Sequence, residues 1–110
     1  MTKVKINPGV CGFVTTVTAT AKKYKVDLNV VTGCESVRKM MDELGTTFDA
    51  FSEVLVKPGQ SSFYKYASEN FPAHSACPVI SGIIKCMEAE CKLGLKSNAS
   101  IEFIEDNKEA

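Results

Sequence analysis

The chain has no C-x-x-C pair, no net charge, a single histidine and no apolar run long enough to cross a bilayer. Each absence excludes something. Without C-x-x-C spacing or a C-x-x-C-x-x-C run, the strong ligand signatures of zinc modules and ferredoxin-type clusters are missing. Thirteen basic residues cancel thirteen acidic ones, so no basic field is present to hold nucleic acid or an anionic membrane; neither is expected as a partner. The opening Met1-Thr2-Lys3-Val4-Lys5 lacks the apolar stretch of a signal peptide, and a cytoplasmic setting is expected. There Asn98-Ala99-Ser100, a glycosylation triplet by pattern, has no meaning. Five cysteines at wide, irregular spacing do not make a secreted disulfide framework; reduced thiols or metal ligands fit better. The turn Pro8-Gly9-Val10-Cys11-Gly12 has neither the Lys-Ser/Thr ending of a P-loop nor the spacing of a dinucleotide fingerprint, so it reads as a bend before a strand.

What is present suits one globular domain over residues 1–110, with a core that needs no staples. Val4 and Ile6 alternate with Lys3 and Lys5, predicting a first strand. Residues 13–21 are rich in threonine and valine, and Phe13, Thr15, Val17 and Ala19 share one face of a second. After the charged turn at 22–25, Val26, Leu28 and Val30 alternate with polar neighbours in a third. Short links make these an antiparallel meander. The period then changes. Val37, Met40, Met41 and Leu44 form a helical stripe, with Thr32 and Glu35 spaced as a capping box and Gly45 as a stop. Phe48, Phe51 and Leu55 predict a short second helix, and Ser61 or Ser62 caps a third that carries Phe63, Tyr66 and Ala67. Ile80, Ile83, Ile84, Met87 and Cys91 predict a last helix of about 17 residues, with Cys77 as N-cap, Pro78 at the first helical position and Leu93-Gly94 as the end. Ile101 and Phe103 alternate with Glu102 as a final strand, and residues 106–110 read as a frayed tail. The expected fold class is α+β: a small, mostly antiparallel sheet of about four strands, with helices on one face.

Three cysteines fall at turn-like breaks: Cys11 beside Gly12, Cys34 after Gly33, and Cys77 before Pro78 and Val79. Two of these breaks open predicted helices, where unpaired N–H groups and the positive dipole end favour the thiolate. Hairpin geometry brings Cys11, before the second strand, to the same sheet end as Cys34, after the third. Cys77 joins them if the last helix runs back along the sheet. The trio is therefore the candidate metal set, with backbone N–H groups of Gly12, Gly33 and Val79 as donors to bridging sulfides or an anion. The cofactor would be an iron–sulfur cluster or zinc, with a fourth ligand unassigned.

Other groups read more plainly. His74 is a solvated loop residue, Lys85 a snorkelling surface residue, Glu35 a capping carboxylate, and Tyr64 and Tyr66 packing residues. Cys91 continues the apolar stripe as a small core hydrophobe. Cys86 lies about 140° from it around the helix and receives no role, so the two do not chelate one ion.

The segments Asn7-Pro8-Gly9-Val10-Cys11-Gly12-Phe13, Thr32-Gly33-Cys34 and Ala76-Cys77-Pro78-Val79 resemble those of a small uncharacterised family of cysteine-containing proteins from anaerobic bacteria and archaea, a domain of unknown function. The resemblance spans nearly the whole chain and implies an anaerobe's cytoplasm, where oxygen-sensitive clusters are common. Three functions follow as expectations. The first is a small metal-binding protein built on Cys11, Cys34 and Cys77. The second is a thiol redox enzyme with Cys77 or Cys34 as nucleophile. The third is an interaction module without chemistry, docking through Phe48, Phe51, Phe63 and Phe71. Exposed sheet edges also make a homodimer the expected assembly.

Overall fold

The computed structural model describes residues 1–106. Strands β1 (Thr2–Ile6), β2 (Thr15–Lys22) and β3 (Lys25–Val31) form the expected antiparallel meander. Helix α1 (Glu35–Leu44) follows, and Gly45 ends it with φ 89. A three-residue strand, β4 (Thr47–Asp49), then pairs with β3 and completes a four-stranded sheet of order β1-β2-β3-β4. Helices α2 (Ala50–Glu53), α3 (Ser62–Asn70) and α4 (Val79–Glu90) complete the regular structure of the described residues. The fold is α+β.

Alternation builds the core. Val17, Ala19, Val26 and Leu28 are buried on the inner face of the sheet, and Lys3, Lys5, Thr20, Asp27 and Asn29 are exposed on the other. Val37 and Met40 of α1, Phe63 of α3 and Ile80, Ile83 and Met87 of α4 close the inner face. Phe48 of β4 meets the Phe63 ring at a centroid distance of 4.8 Å, a separation at which tilted rings attract.

Two expected elements are corrected. Residues 95–106 contain no strand; the fourth strand is β4, placed between two helices. The short helix expected from Phe48, Phe51 and Leu55 does form as α2, but only over Ala50–Glu53; Phe48 belongs to β4 and points inward beside Val26, while Phe51 and Leu55 are exposed. Three residues are too few for a period of two to stand out. The frayed end over 107–110 lies outside the described residues.

Helix α4 has 12 residues and ends before Leu93-Gly94. The Leu93 N–H donates to the Glu88 carbonyl (2.9 Å) and the Lys92 N–H to that of Ala89 (3.2 Å). This is a Schellman stop whose left-handed position is held by Lys92 at φ 58 rather than by a glycine. The start moves too. Pro78, not Cys77, is the N-cap (φ −84, ψ 1), and its carbonyl accepts the Gly82 N–H at 3.0 Å.

Two carboxylates tie elements together. Glu53, 6 % exposed at the end of α2, accepts from the Ser61 hydroxyl (3.0 Å), the Ser62 N–H (2.7 Å) and the Ser62 hydroxyl (2.7 Å). It thereby anchors the first turn of α3, whose positive dipole end favours a negative charge. Ser61 itself caps α3 by accepting the Phe63 N–H. Glu90, at the end of α4, accepts from the Thr2 hydroxyl (2.7 Å) and the Ala21 N–H (3.0 Å), so one side chain joins the helix to β1 and β2.

Three outcomes are expected. Glu53→Ala leaves three buried or half-buried donors without their acceptor and lowers stability by about 2–3 kcal/mol, read from urea unfolding at neutral pH. The Thr2 hydrogen bond holds the Glu90 carboxyl below the usual glutamate range, and the Ala21 N–H adds to this. A lowered folded-state value contributes stability above the unfolded-state pKa, and this is lost as pH falls through the folded-state value. Glu90→Gln therefore flattens the acid limb of the stability curve below about pH 4.3, measured as urea midpoint against pH. Lys92→Gly removes the left-handed strain, partly offset by glycine's entropy, and raises stability by about 0.5–1 kcal/mol, visible as a higher midpoint.

Candidate functional site

Three chain segments meet at one end of the sheet, and each carries a cysteine. Between β1 and β2, the Asn7 side-chain oxygen accepts the Gly9 N–H (3.0 Å), and the Gly9 carbonyl accepts the Gly12 N–H (3.0 Å). Gly9 and Gly12 take φ 93 and 73, values that a side chain would resist. Cys11 is exposed at the tip of this turn beside the exposed Val10. The Gly12 N–H, expected as a donor to a ligand, is engaged within the turn.

Cys34 is the N-cap of α1, with extended backbone (φ −78, ψ 119) and no side-chain cap bond. The Thr32 hydroxyl oxygen accepts the Cys34 N–H at 3.0 Å, while the Cys34 carbonyl accepts from the Arg38 N–H. The N-cap of α1 thus lies two residues after Thr32, and Glu35 is the first helical residue. The expected capping box does not form, because Thr32 turns to its own chain and to β2. Its hydroxyl lies 2.8 Å from that of Thr15, which is fully buried at the start of β2.

The two segments touch a second time. Phe13 lies outside β2 and half-exposed. A Cβ on Gly33 would sit 3.0 Å from Phe13 Cδ1, so the absent side chain is what lets the ring approach. The hairpin reading that placed Cys11 and Cys34 at one end is met by these two contacts, Thr15 to Thr32 and Phe13 to Gly33.

Cys77 arrives by α4. A Cβ on Gly82, one turn into the helix, would lie 2.4 Å from Ile6 Cδ1. Ile6 ends β1 and pairs with Thr15. At its other end α4 binds Thr2 and Ala21 through Glu90. The helix therefore runs opposite to β1, and its N-terminus returns to the rim of Cys11 and Cys34. Cys77 is half-buried there and packs against the core, as does Cys34. Val79, the first residue of α4, is buried. His74 is exposed, and its carbonyl accepts the Cys77 N–H at 3.4 Å.

Sharing a rim is not the same as forming a ligand set. Among the described residues, no group of three or more histidine, cysteine, aspartate or glutamate side chains is arranged to hold a metal ion.

The other two thiols belong to the interior. Cys86 is fully buried and donates to the Thr2 carbonyl (3.3 Å) and toward that of Val17 (3.6 Å). Burial pushes its thiol up, and it does the same for Cys91. Cys91 is the core hydrophobe expected from its stripe. Cys86 was not legible as its equal, because it lies about 140° from Cys91 around the helix and its contacts with the β1 and β2 backbone are purely tertiary. At the surface of α3, the Tyr66 hydroxyl donates to Glu43 of α1, and this bond raises its pKa.

No helix among the described residues is long and apolar enough to cross a membrane. No curated protein and no solved structure matches the chain. A family of unknown function, DUF6951, matches residues 2–103, nearly the whole of the described fold and all three rim cysteines, and the chain belongs to that family.

Proposed function

We propose that the protein is a small metal-binding protein that holds an iron–sulfur cluster or zinc at the rim through Cys11, Cys34 and Cys77. The observation that carries the reading is the sorting of the five thiols. Two are sealed in the core, where burial opposes the thiolate. The other three arrive on separate segments at one end of the sheet, each beside a turn or a helix start.

Binding on this reading draws the 7–14 loop towards Cys34 and Cys77. That loop places no residue in the core, so its movement costs only the contact of the Phe13 ring with Gly33. The backbone N–H groups of Gly33 and Val79 supply hydrogen bonds to the bound group. An anaerobic cytoplasm is the setting in which a cluster at so open a rim would persist.

The rival is thiol redox chemistry with Cys77 or Cys34 as the attacking thiolate. Its support is the place of Cys34 at the N-cap of the ten-residue α1.

Anaerobic purification of the full chain, followed by absorption spectroscopy and metal analysis, tests the proposal. The expected result is bound iron with sulfide, or zinc, falling several-fold in each of Cys11→Ser, Cys34→Ser and Cys77→Ser and unchanged in Cys91→Ala. A colourless protein that takes up neither iron nor zinc overturns it. Alkylation rate against pH then addresses the rival, which requires one rim thiol to titrate below the ordinary cysteine range of about 8.5.

A further inference from the structure

The end of the described chain is apolar and uncovered. Leu95, Ile101, Phe103 and Ile104 are 88 %, 89 %, 102 % and 89 % exposed, and residues 95–106 hold no regular structure. The described residues extend 51 × 30 × 25 Å with a radius of gyration of 14.7 Å, against about 13 Å for a compact chain of this length. An isolated exposed leucine needs no explanation, but three large apolar side chains within four residues, standing clear of their own core, do.

The sheet offers a place for them. Among the described residues strand β1 pairs only with β2, so one side of its backbone is an edge able to accept another strand. The segment Ser100-Ile101-Glu102-Phe103-Ile104 has the same five-residue length as β1 and alternates over its first four residues. Laid on the β1 edge, Ile101 and Phe103 continue the inner apolar row beside the half-buried Val4. Glu102 then falls on the outer face, which β1 fills with the exposed Lys3 and Lys5. Lysines on an edge strand ordinarily repel strand addition; a strand with a carboxylate between two apolar residues meets them favourably.

The α4 flank above this edge carries Lys85, on the same side of the helix by spacing as Gly82, the residue packed against Ile6. This lysine adds a third positive charge. Within its own chain the segment stands away from β1, its apolar side chains in solvent.

We infer that residues 100–104 add as a fifth strand to the β1 edge of a second copy of this chain, and that the copy returns the same segment, forming a reciprocal strand-exchange dimer. The exchange is isologous, so each partner contributes one tail and receives one. Main-chain hydrogen bonds supply cohesion, and the alternating Ile101, Glu102 and Phe103 set the register. The assembly is independent of whether the cysteine rim binds metal.

Sedimentation of the full chain from about 1 to 100 μM tests the inference at neutral pH and low salt, where surface charge pairs are least screened. A dimer is expected, with Ile101→Glu/Phe103→Glu sedimenting as a monomer and keeping the wild-type far-UV dichroism. Both positions are exposed, so the fold is not at risk. Lys3→Glu/Lys5→Glu weakens the dimer at least tenfold, and adding Glu102→Lys to that variant restores it. A monomer throughout the range overturns the inference, and so does a dimer that survives the tail substitutions. A dimer lost with the tail but indifferent to the β1 charge reversal overturns the docking on this edge.

Discussion

The direction of α4 across the sheet decides where the rest of the molecule's chemistry can be. The helix is held against the sheet at both ends. At one end the missing side chain of Gly82 admits Ile6, and at the other Glu90 takes the Thr2 hydroxyl and the Ala21 N–H. These fix α4 opposite to β1 and bring Pro78 and Cys77 back to the rim where β2 begins and β3 ends. Reversed, the helix would carry Cys77 to the hairpin turn at Lys23, away from the other two rim cysteines.

Much of this was legible in the sequence, for reasons that differ by element. The β1 to β3 meander announced itself because each strand keeps strict alternation over five to eight residues and the links are short. Helix α1 showed a full stripe and a glycine stop. What escaped notice had short-range signals that pointed elsewhere. β4 is one buried phenylalanine between two polar residues, and its pairing with β3 is purely tertiary. Ile101 to Phe103 alternate as a strand does, yet the segment pairs with no strand among the described residues. The stop at Lys92 escaped because a lysine occupies the left-handed position that sequence reasoning assigns to glycine.

The rim was foreseen to the level of topology but not of atoms. Hairpin geometry is enough to predict that Cys11 and Cys34 lie at one end, since it depends only on strand order. The contacts that make the rim, Thr15 with Thr32 and Phe13 with Gly33, join residues 17 and 20 positions apart. No local pattern reveals them. The carboxylate of Glu53 is a similar case: its serine partners are visible as caps, but the bulge of chain between them hides the acceptor.

The close approach of Gly82 to Ile6 also constrains how the family can diverge. A methyl group at position 82 would overlap the isoleucine side chain at 2.4 Å, nearer than packed atoms tolerate. The two sites are therefore sterically linked: a lineage that gains a side chain on the helix must turn aside or shrink the one on the strand, or the helix must ride up from the sheet. Growth at position 82 is opposed while position 6 stays large, and across relatives their volumes should trade against each other.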